Sequence, residues 1–168
     1  MYCPKCGYKT FESDEEKSYK CSRCNFQFFV NVASAVTAII RNSKNEILFT
    51  IRKHDPVKGT LDLPGGFTEY GETGEEAITR EVKEELNLDL TKITYLKTLP
   101  NIYEYAEVTY NTLDLIYNCE VQTTNKIIPS DDVFDFKFVS IKEINIDDIG
   151  LMSVKNLIDF LKAEAGKQ

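Results

Sequence analysis

The chain lacks tryptophan altogether and has a single histidine, His54, among its 168 residues. No groups that would activate a histidine are visible near it in the sequence, so we interpret His54 as a loop residue and not as a catalytic base. The apolar runs are too short to cross a bilayer, and the first residues, M-Y-C-P-K-C, do not resemble a signal peptide. We therefore expect a cytoplasmic protein without a membrane partner.

Positive charge is also scarce. The chain has 20 Lys and Arg against 27 Asp and Glu, which gives a net charge of −7 and a pI near 4.9. General binding to nucleic acid or to an anionic membrane would need a basic surface, so both are disfavoured. Repeats and low-complexity segments are absent, and 42% hydrophobic residues suffice for one ordinary domain plus a small appendage.

Five cysteines are present, and four of them form two C-x2-C pairs with fourteen residues between the pairs. These four are Cys3, Cys6, Cys21 and Cys24. Four thiolates at this spacing suit a tetrahedral Zn²⁺ site, with disulfides or a redox pair as the alternatives. Because cysteine would fill all four positions, the zinc would be structural. The fifth, Cys119, is expected to be an ordinary buried strand residue.

Residues 1–30 resemble a zinc ribbon, with short strands predicted at residues 8–11 and 26–30. Basic and acidic side chains nearly balance in this segment. Its aromatic residues suit either a small core or the stacking of nucleic-acid bases. We favour docking or dimerisation as the role of this segment over contact with nucleic acid.

A second dense signal lies between Leu61 and Leu88, where a glycine turn precedes a predicted helix. Thr73 and Glu76 have the spacing of a capping box, which favours a helix start at that point. Asn87 tolerates the left-handed conformation that often follows a helix, so it is a suitable stop. An apolar stripe that would face a core consists of Ala77, Ile78, Val82 and Leu86.

The other side of this helix is rich in carboxylates. Glu81, Glu84 and Glu85 are three and four residues apart and should converge on one face, unless they form a merely solvated acidic surface. Their mutual repulsion would be relieved by a cation, and hard carboxylate oxygens suit Mg²⁺ or Mn²⁺. Arg80 lies four residues after Glu76 and four before Glu84, so it should bridge carboxylates and hold their rotamers.

The flanking residues favour the metal site. Gly66, Glu72 and the run R-E-V-K-E-E-L-N-L at residues 80–88 resemble the Nudix box, G-x5-E-x7-R-E-U-x-E-E-x-G-U with U aliphatic. The one departure is Asn87 in place of the last glycine. The resemblance covers residues 32–164, and it implies an α+β fold: a Nudix α/β/α sandwich with a mixed sheet over residues 31–168, after the ribbon at residues 1–30.

The predicted elements fit this architecture. Strands are expected at residues 31–41 and 46–53, joined as a hairpin, because both stretches are rich in β-branched residues. Further strands are expected at residues 93–99, 101–107, 108–121 and 133–139. A terminal helix is expected at residues 151–163, where apolar residues recur at helical spacing.

The resemblance implies roles for individual residues. The ligands that it implies for Mg²⁺ or Mn²⁺ are Glu81, Glu84, Glu85 and the Gly66 carbonyl. Arg80 and Glu72 would order the helix and its preceding loop. Glu85 is the first candidate for the carboxylate that takes a proton from the attacking water. Candidates downstream of the box are Glu104, Glu107, Glu120, Asp131 and Asp132.

Substrate contacts are predicted outside the box. The candidates are Arg52, Lys53, Tyr103, Tyr105 and Glu120. The two basic residues end a strand just before the glycine turn, where they would meet substrate phosphate unless they are simply solvated. The tyrosines would stack a base unless they pack against the sheet.

An acidic metal site suits the hydrolysis of an anionic diphosphate. The resemblance implies cleavage of a nucleoside diphosphate linked to another moiety, by a homodimer. A ribbon before a Nudix domain resembles the NADH pyrophosphatase group, but that group's S-Q-P-W-P-F-P-x-S stretch is missing. We favour ADP-ribose or an NADH-type dinucleotide as substrate. The alternatives are a nucleoside triphosphate pyrophosphohydrolase that cleans the nucleotide pool and a non-catalytic nucleotide-sensing regulator.

Overall fold

The computed structural model describes residues 1–14, 17–124 and 126–166. The chain forms two compact units, of which the first is Met1–Val32 and the second begins at Ala33. Each unit has buried hydrophobic residues of its own.

The first unit is a three-stranded antiparallel sheet in the order β1-β2-β3. Its strands are β1 (Phe11–Asp14), β2 (Ser18–Cys21) and β3 (Gln27–Phe29). Phe11 is buried, and its ring centroid lies 5.5 Å from that of Tyr19 and 6.2 Å from that of Phe26. A core of this size hides little apolar surface, so a bound metal would contribute much of the unit's stability.

The prediction of a strand at residues 8–11 was wrong, and β2 was not predicted at all. The chain forms a turn after Cys3, whose N–H donates to the Tyr8 carbonyl at 2.8 Å while its own carbonyl accepts the Gly7 N–H at 2.8 Å. Gly7 has φ +71°, a conformation that glycine adopts without steric cost. The backbone therefore wraps around the first cysteine pair before it extends, which side-chain alternation does not reveal.

The second unit contains a mixed four-stranded sheet in the order β7-β4-β9-β8 and a three-stranded sheet in the order β10-β5-β6. In the mixed sheet β4 is parallel to β9 and antiparallel to β7, and β8 pairs antiparallel with β9 at the edge. The strands are β4 (Ala33–Ile40), β5 (Ile47–Arg52), β6 (Leu61–Asp62), β7 (Gly65–Phe67), β8 (Leu90–Tyr105), β9 (Val108–Val121) and β10 (Val133–Val139).

Two α-helices in the described part of the chain cover the sheets, α1 (Gly74–Leu86) and α2 (Met152–Ala165), with a short 3-10 turn at Ile146–Asp148. Successive strand residues point to opposite faces. Ala38 of β4 accordingly packs in one core with α1, while its neighbour Ile39 packs in the other core with Leu157 of α2. The predicted α/β/α sandwich is confirmed. Neither helix is long and apolar enough to cross a membrane.

The predicted ends of α1 are confirmed. The Thr73 hydroxyl accepts the Glu76 N–H at 3.2 Å, and a Glu76 carboxylate oxygen accepts the Thr73 N–H at 2.9 Å, which completes the capping box. After Leu86 the backbone turns left-handed at Asn87, with φ 54° and ψ 33°. The apolar stripe of α1 is buried against the core, and Glu81 and Glu84 lie on the other side of the helix.

The predicted hairpin of residues 31–41 and 46–53 is wrong. After a single bridge between Arg41 and Ile47, β4 and β5 enter different sheets. The middle of each strand is buried on both faces. Each is also an interior strand: β4 pairs with β7 and β9, and β5 pairs with β10 and β6. With both sides of each strand occupied, β4 and β5 cannot pair with each other.

A single 16-residue strand, β8, replaces the two strands predicted at residues 93–99 and 101–107. Pro100 lies inside it and faces Leu113 of β9. A proline has no N–H for a second neighbour, but β8 is an edge strand, where none is needed. The proline between the two predicted strands is therefore accommodated by its position at the edge of the sheet.

Candidate active site

A cavity of about 420 Å³ lies in the second unit, where the mixed sheet, the β5–β6 strands and the acidic side of α1 meet. This volume falls within the roughly 300–1,000 Å³ usual for small-molecule sites. Its lining includes the three predicted metal ligands of α1, Glu81, Glu84 and Glu85, together with Gly65 and Gly66. Residues far apart in sequence thus share one cavity with the acidic helix.

The predicted glycine turn before α1 is instead the short strand β7, which lies against β4. Gly65 has φ +148°, and a Cβ there would overlap the carbonyl oxygen of Val36. A Cβ on Gly66 would lie 2.5 Å from a carboxylate oxygen of Glu81. Both positions are glycine because a neighbouring group occupies the space that a side chain would need.

Arg80 holds the acidic face together. Its guanidinium donates to Glu72 at 2.8 and 3.0 Å, to Glu81 at 2.8 Å and to Glu84 at 3.1 Å, as well as to the Phe67 carbonyl at 3.1 Å. The hydrogen bond from Arg80, followed by one from the Glu69 N–H, lowers the pKa of Glu72 to about 2. The arginine thereby ties the loop before α1 to the helix.

The prediction that Arg80 would bridge Glu76 is wrong, because the capping box already occupies the Glu76 carboxylate. Glu72, eight residues before Arg80, takes that place. Glu72 lies in the loop before α1, and this loop folds back along the helix. The pair therefore does not follow the three- or four-residue spacing of a helix.

Glu85 is the most deeply buried of the box carboxylates, with 7% of its surface exposed. One of its oxygens, Oε2, accepts the Gly65 N–H at 3.0 Å. Burial raises the pKa of Glu85 well above its usual value, against the effect of that hydrogen bond, and the charges of Glu81 and Asp62 add to the rise. No described basic side chain lies within 4.0 Å of Glu85, so a bound cation would supply the missing positive charge.

The three glutamates do not yet enclose one ion-sized space. Among the described residues, only the four N-terminal cysteines bring three or more possible metal-ligand atoms of acidic, cysteine or histidine side chains within 4.8 Å of one another. The ligand atoms of Glu81, Glu84 and Glu85 do not meet that distance. The predicted convergence is incomplete because Arg80 draws Glu81 and Glu84 to itself, while Glu85 turns to Gly65. The carboxylates fit a divalent ion chemically, and such an ion would compete with Arg80.

Of the predicted substrate contacts, Arg52 and Tyr103 line the cavity. Arg52 donates to Asp62 at 2.7 Å and to the Tyr103 hydroxyl at 3.4 Å. Asp62 is buried, and burial raises the pKa of its carboxyl although Arg52 acts in the opposite direction. Arg52 is therefore paired with a buried carboxylate at the cavity wall, and its contact with substrate phosphate stays a prediction.

Three predicted substrate contacts lie outside the cavity. Lys53 donates to the Asp131 carbonyl at 2.9 Å, Tyr105 is an exposed residue near the end of β8, and Glu120 forms an exposed ion pair with Lys92 at 2.9 Å. None of these three is among the residues that line the cavity. The chemistry of these side chains suits substrate binding, but only the register of the strands determines which residues reach the cavity.

Of the general-base candidates downstream of the box, Asp131 and Asp132 line the cavity, whereas Glu104, Glu107 and Glu120 do not. His54 is exposed, 3.9 Å from Asp132. The loop before β10 therefore brings two further carboxylates to the acidic side of the cavity.

Six buried polar residues that were not predicted from the sequence line the same cavity. They are Thr37, Thr50, Asp62, Asn101, Thr112 and Asp114. A signal was present in β9, because Thr112 and Asp114 have the same strand parity as Ile116, which is in the core. Polar residues on an inward-facing parity are evidence of an internal site.

The four cysteines of the first unit have the geometry of a metal site. The Sγ atoms of Cys3 and Cys24 are 3.8 Å apart, and those of Cys6 and Cys21 are 3.7 Å apart. Zn–S bonds of about 2.3 Å in a tetrahedron place sulfur atoms roughly 3.8 Å apart, whereas a disulfide needs about 2.05 Å. All four are free thiols, so the arrangement agrees with the predicted ribbon and not with disulfides.

The fold and the cavity define a class of protein: an α/β/α sandwich whose first helix presents arginine-held carboxylates to a small-molecule site. The chain belongs to the NUDIX domain family, whose family model matches residues 32–156. That match covers the cavity, α1 and β4 through β10.

Two curated relatives are similar to part of this chain. The NAD-capped RNA hydrolase NudC of Haemophilus influenzae (strain PittGG) is 30% identical over 100 residues, which are 59% of this chain and 38% of the relative. The ADP-ribose pyrophosphatase of Methanocaldococcus jannaschii is 45% identical over 78 residues, 46% of this chain and 43% of the relative. Each match spans less than half of the relative's length.

Solved structures share the fold. The NUDIX hydrolase from Nitrosomonas europaea superposes with a TM-score of 0.67 at 20% identity, over 94% of this chain and 90% of that one. The NUDIX domain of Shewanella oneidensis NrtR, crystallised with ADP ribose, gives a TM-score of 0.65 at 20% identity, over 82% and 90% of the two chains. These likenesses establish the architecture.

Proposed function

We propose that the protein is a Mg²⁺- or Mn²⁺-dependent pyrophosphohydrolase that cleaves a nucleoside diphosphate linked to another moiety, with ADP-ribose or an NADH-type dinucleotide as the favoured substrate. The proposal is supported above all by the environment of Glu85. Its carboxylate is buried, lines the cavity with Glu81 and Glu84, and has no basic partner among the described residues. A cation and a polyanionic substrate together would complete that charge distribution.

Four groups would hold the divalent ion. They are the carboxylates of Glu81, Glu84 and Glu85 and the carbonyl of Gly66. A bound ion would neutralise the negative charge of the diphosphate oxygens and would lower the pKa of a coordinated water. The glycine at position 66 lets the Glu81 carboxylate approach the backbone of β7, where a side chain would displace it.

The remaining box residues orient these ligands. Arg80 limits the rotamers of Glu81 and Glu84, and Glu72 anchors Arg80 in turn. In Glu85 the Oε2 atom accepts the Gly65 N–H, which leaves Oε1 to take a proton from the attacking water. Asp131 and Asp132 line the same cavity and are the alternatives for that proton.

The names of two relatives support the choice of substrate. One is an ADP-ribose pyrophosphatase and the other a NAD-capped RNA hydrolase. Both names specify a nucleotide with a substituted diphosphate, which agrees with a cavity that has an acidic side for metal and further polar residues beyond it. For the first unit we propose structural Zn²⁺, held by Cys3, Cys6, Cys21 and Cys24.

A substrate panel with product identification tests the proposal. Purified protein with Mg²⁺ or Mn²⁺ should release AMP from ADP-ribose or from NADH, and Glu85→Gln prepared in parallel should show no more than trace activity, which excludes a contaminating hydrolase. Release of pyrophosphate from nucleoside triphosphates would support the pool-cleaning alternative. Tight binding without any turnover would support the nucleotide-sensing alternative.

A further inference from the structure

A second cavity, of about 470 Å³, lies at the other end of the mixed sheet. The first cavity is lined by residues nearer the N-terminal ends of β4 and β9, whereas this one is lined by residues at or just beyond their C-terminal ends. Thr112 lines the first cavity and Asn118 the second, and their separation along β9 corresponds to about 20 Å. The second cavity is therefore separate from the candidate active site.

Arg41 lines the second cavity and carries a positive charge that no described carboxylate balances. The other three arginines of the chain are engaged: Arg52 and Arg80 pair with carboxylates, and Arg23 lies over a tyrosine ring at 3.5 Å from its centroid. Arg41 donates through Nη1 to the Asn118 amide oxygen at 3.1 Å, and no described carboxylate lies within 4.0 Å of its guanidinium. Most of its five N–H groups are thus without a partner in the described part of the chain.

The Arg41 side chain is also partly withdrawn from water. Burial lowers the pKa of its guanidinium, which nevertheless stays charged in a protein. The partial burial follows from the strand, because Arg41 has the same parity as Ile39, which packs in the core with α2. A charge that loses hydration without gaining a counter-ion is unfavourable, and an anion in the cavity would supply the missing partner.

Side chains of β8 add further donors to this cavity. Thr94 lies opposite Asn118 in the β8–β9 pair, and its hydroxyl has no hydrogen-bond partner among the residues that the structure describes. Lys92 donates to Glu120 at 2.9 Å, in an ion pair whose side chains are 63% and 66% exposed. Exposed pairs of this kind contribute little to stability, so Lys92 can turn to an incoming anion at little cost.

The positions of these donors favour a phosphate group as the ligand. A guanidinium presents parallel N–H groups that match two oxygens of a phosphate or of a carboxylate. Arg41 follows β4, and β9 separates β4 from β8 in the sheet, so Thr94 and Lys92 approach from the other side. A carboxylate has no oxygen left for them, whereas a tetrahedral phosphate does. Arg41 and Lys92 against Glu120 give these groups a net charge of +1, although the whole chain carries −7.

We propose that the second cavity is a phosphate-binding site, in which the Arg41 guanidinium binds two oxygens of the phosphate group and Thr94 and Lys92 donate to the others. The group belongs either to inorganic phosphate or to a phosphate monoester such as a nucleoside monophosphate. Bound phosphate would connect the ends of β4 and β8 across β9. The site is distinct from the position of the substrate diphosphate and does not rest on the proposed function.

The test is a titration of isotope-labelled protein with inorganic phosphate, followed by NMR at constant ionic strength and without divalent cations. The backbone amides of residues 92–94 and 118–120 should shift in a saturable manner. The amides of Gly65 and Gly66, which line the candidate active site, should not shift. Titration with AMP distinguishes the two sources of the phosphate group, and titration with sodium acetate gives the comparison with a carboxylate.

Variants of the cavity lining identify the groups that bind. Arg41→Gln should weaken phosphate binding by at least about tenfold, because it removes the charge-assisted hydrogen bonds of the guanidinium. Arg41→Lys keeps the charge without the paired donors and should give an intermediate affinity. Thr94→Val, at an exposed position of the edge strand, should also weaken binding.

Lys44→Gln is the matched control for the loss of charge. It removes a positive charge three residues from Arg41, at an exposed position outside the cavity lining, and should change the affinity by less than about twofold because salt screens exposed charges. Thermal melting of each variant in phosphate-free buffer establishes that it folds. Thr94→Val decides the matter if Arg41→Gln does not fold.

The outcomes are distinct. Saturable shifts at residues 92–94 and 118–120 that Arg41→Gln weakens would support the site; a response to inorganic phosphate identifies the free anion as a ligand, and a response to AMP alone identifies a phosphate monoester. No saturable shift with either ligand, equal binding by Arg41→Gln and the wild type, an equal response to acetate, or shifts at Gly65 and Gly66 alone would overturn it. Hydrolysis in the substrate panel bears only on the proposed function, so the failure of one proposal is distinguishable from the failure of the other.

Discussion

Arg80 illustrates how single residues determine the state of the acidic face. It contacts three carboxylates and one backbone carbonyl, so the repulsion between neighbouring glutamates is relieved before any metal is present. The exposure of the three box glutamates differs, since Glu84 keeps 48% of its side-chain surface exposed and Glu85 is nearly buried. Substitutions at these positions should therefore separate effects on chemistry from effects on folding.

Glu84→Gln should lower kcat/KM by at least about 100-fold, because it would remove one of the proposed carboxylate ligands of the divalent ion. The unfolding midpoint should change little, since the side chain is half exposed. Steady-state kinetics with a titration of Mg²⁺ and a thermal melt measure the two effects. Glu75→Gln, at an exposed position in the first turn of the same helix, is the matched control and should retain activity. Near-normal activity of Glu84→Gln would contradict the metal assignment.

Gly66→Ala should reduce kcat/KM by about tenfold to a hundredfold, because the new Cβ would lie 2.5 Å from the Glu81 carboxylate and displace it. The apparent affinity for Mg²⁺ should fall in parallel. Gly166→Ala is a suitable control, since a Cβ there meets only atoms at 3.6 Å or beyond and its φ is −77°. Full activity of Gly66→Ala would show that the close approach of Glu81 is not needed.

At the scale of elements, α1 is specified locally and the strands are not. Its capping box, apolar stripe and left-handed stop are all sequence-neighbour effects, and each was predicted at the residue where it occurs. The hairpin predicted for β4 and β5 failed because strand pairing depends on partners more than 70 residues away, as in the parallel pair of Ala35 with Asp114. The alternation of apolar and polar residues indicates that a segment is a strand, but it does not indicate which strand pairs with it.

Asn87 gives a test of the helix stop. Asn87→Gly should keep or slightly raise the free energy of unfolding, and Asn87→Ala should lower it by about 1 kcal/mol, because alanine resists φ 54° and glycine does not. Chemical denaturation of the two variants measures the difference. If alanine were tolerated as well as glycine, the left-handed stop would not contribute to stability.

At the scale of the whole molecule, the chain combines two units with different sources of stability. The second unit has two hydrophobic cores, whereas the first has one buried phenylalanine beside its cysteines. The first unit should therefore depend on metal, and the second should not.

Cys21→Ser, or chelation of zinc, should unfold residues 1–32 and leave the second unit folded, because Cys21 is buried among the other three sulfur atoms. Hydrogen exchange read by mass spectrometry should show loss of protection in peptides from the first unit and none in α1. Ser22→Ala, at the exposed position beside it, should behave as wild type. Zinc content well below one ion per chain in the wild-type protein would contradict the ribbon.

Features that depend on near neighbours could be read from the amino-acid sequence: the two cysteine pairs, the capped helix from Gly74 to Leu86, and the spacing of its carboxylates. Which distant residues join them depends on how the chain folds. Strand register brought Asn101, Thr112 and Asp114 to the cavity and left Tyr105 and Glu120 outside it. The physical reason is that helical spacing is set within a turn, whereas the face and neighbours of a strand are set by pairing across the whole unit.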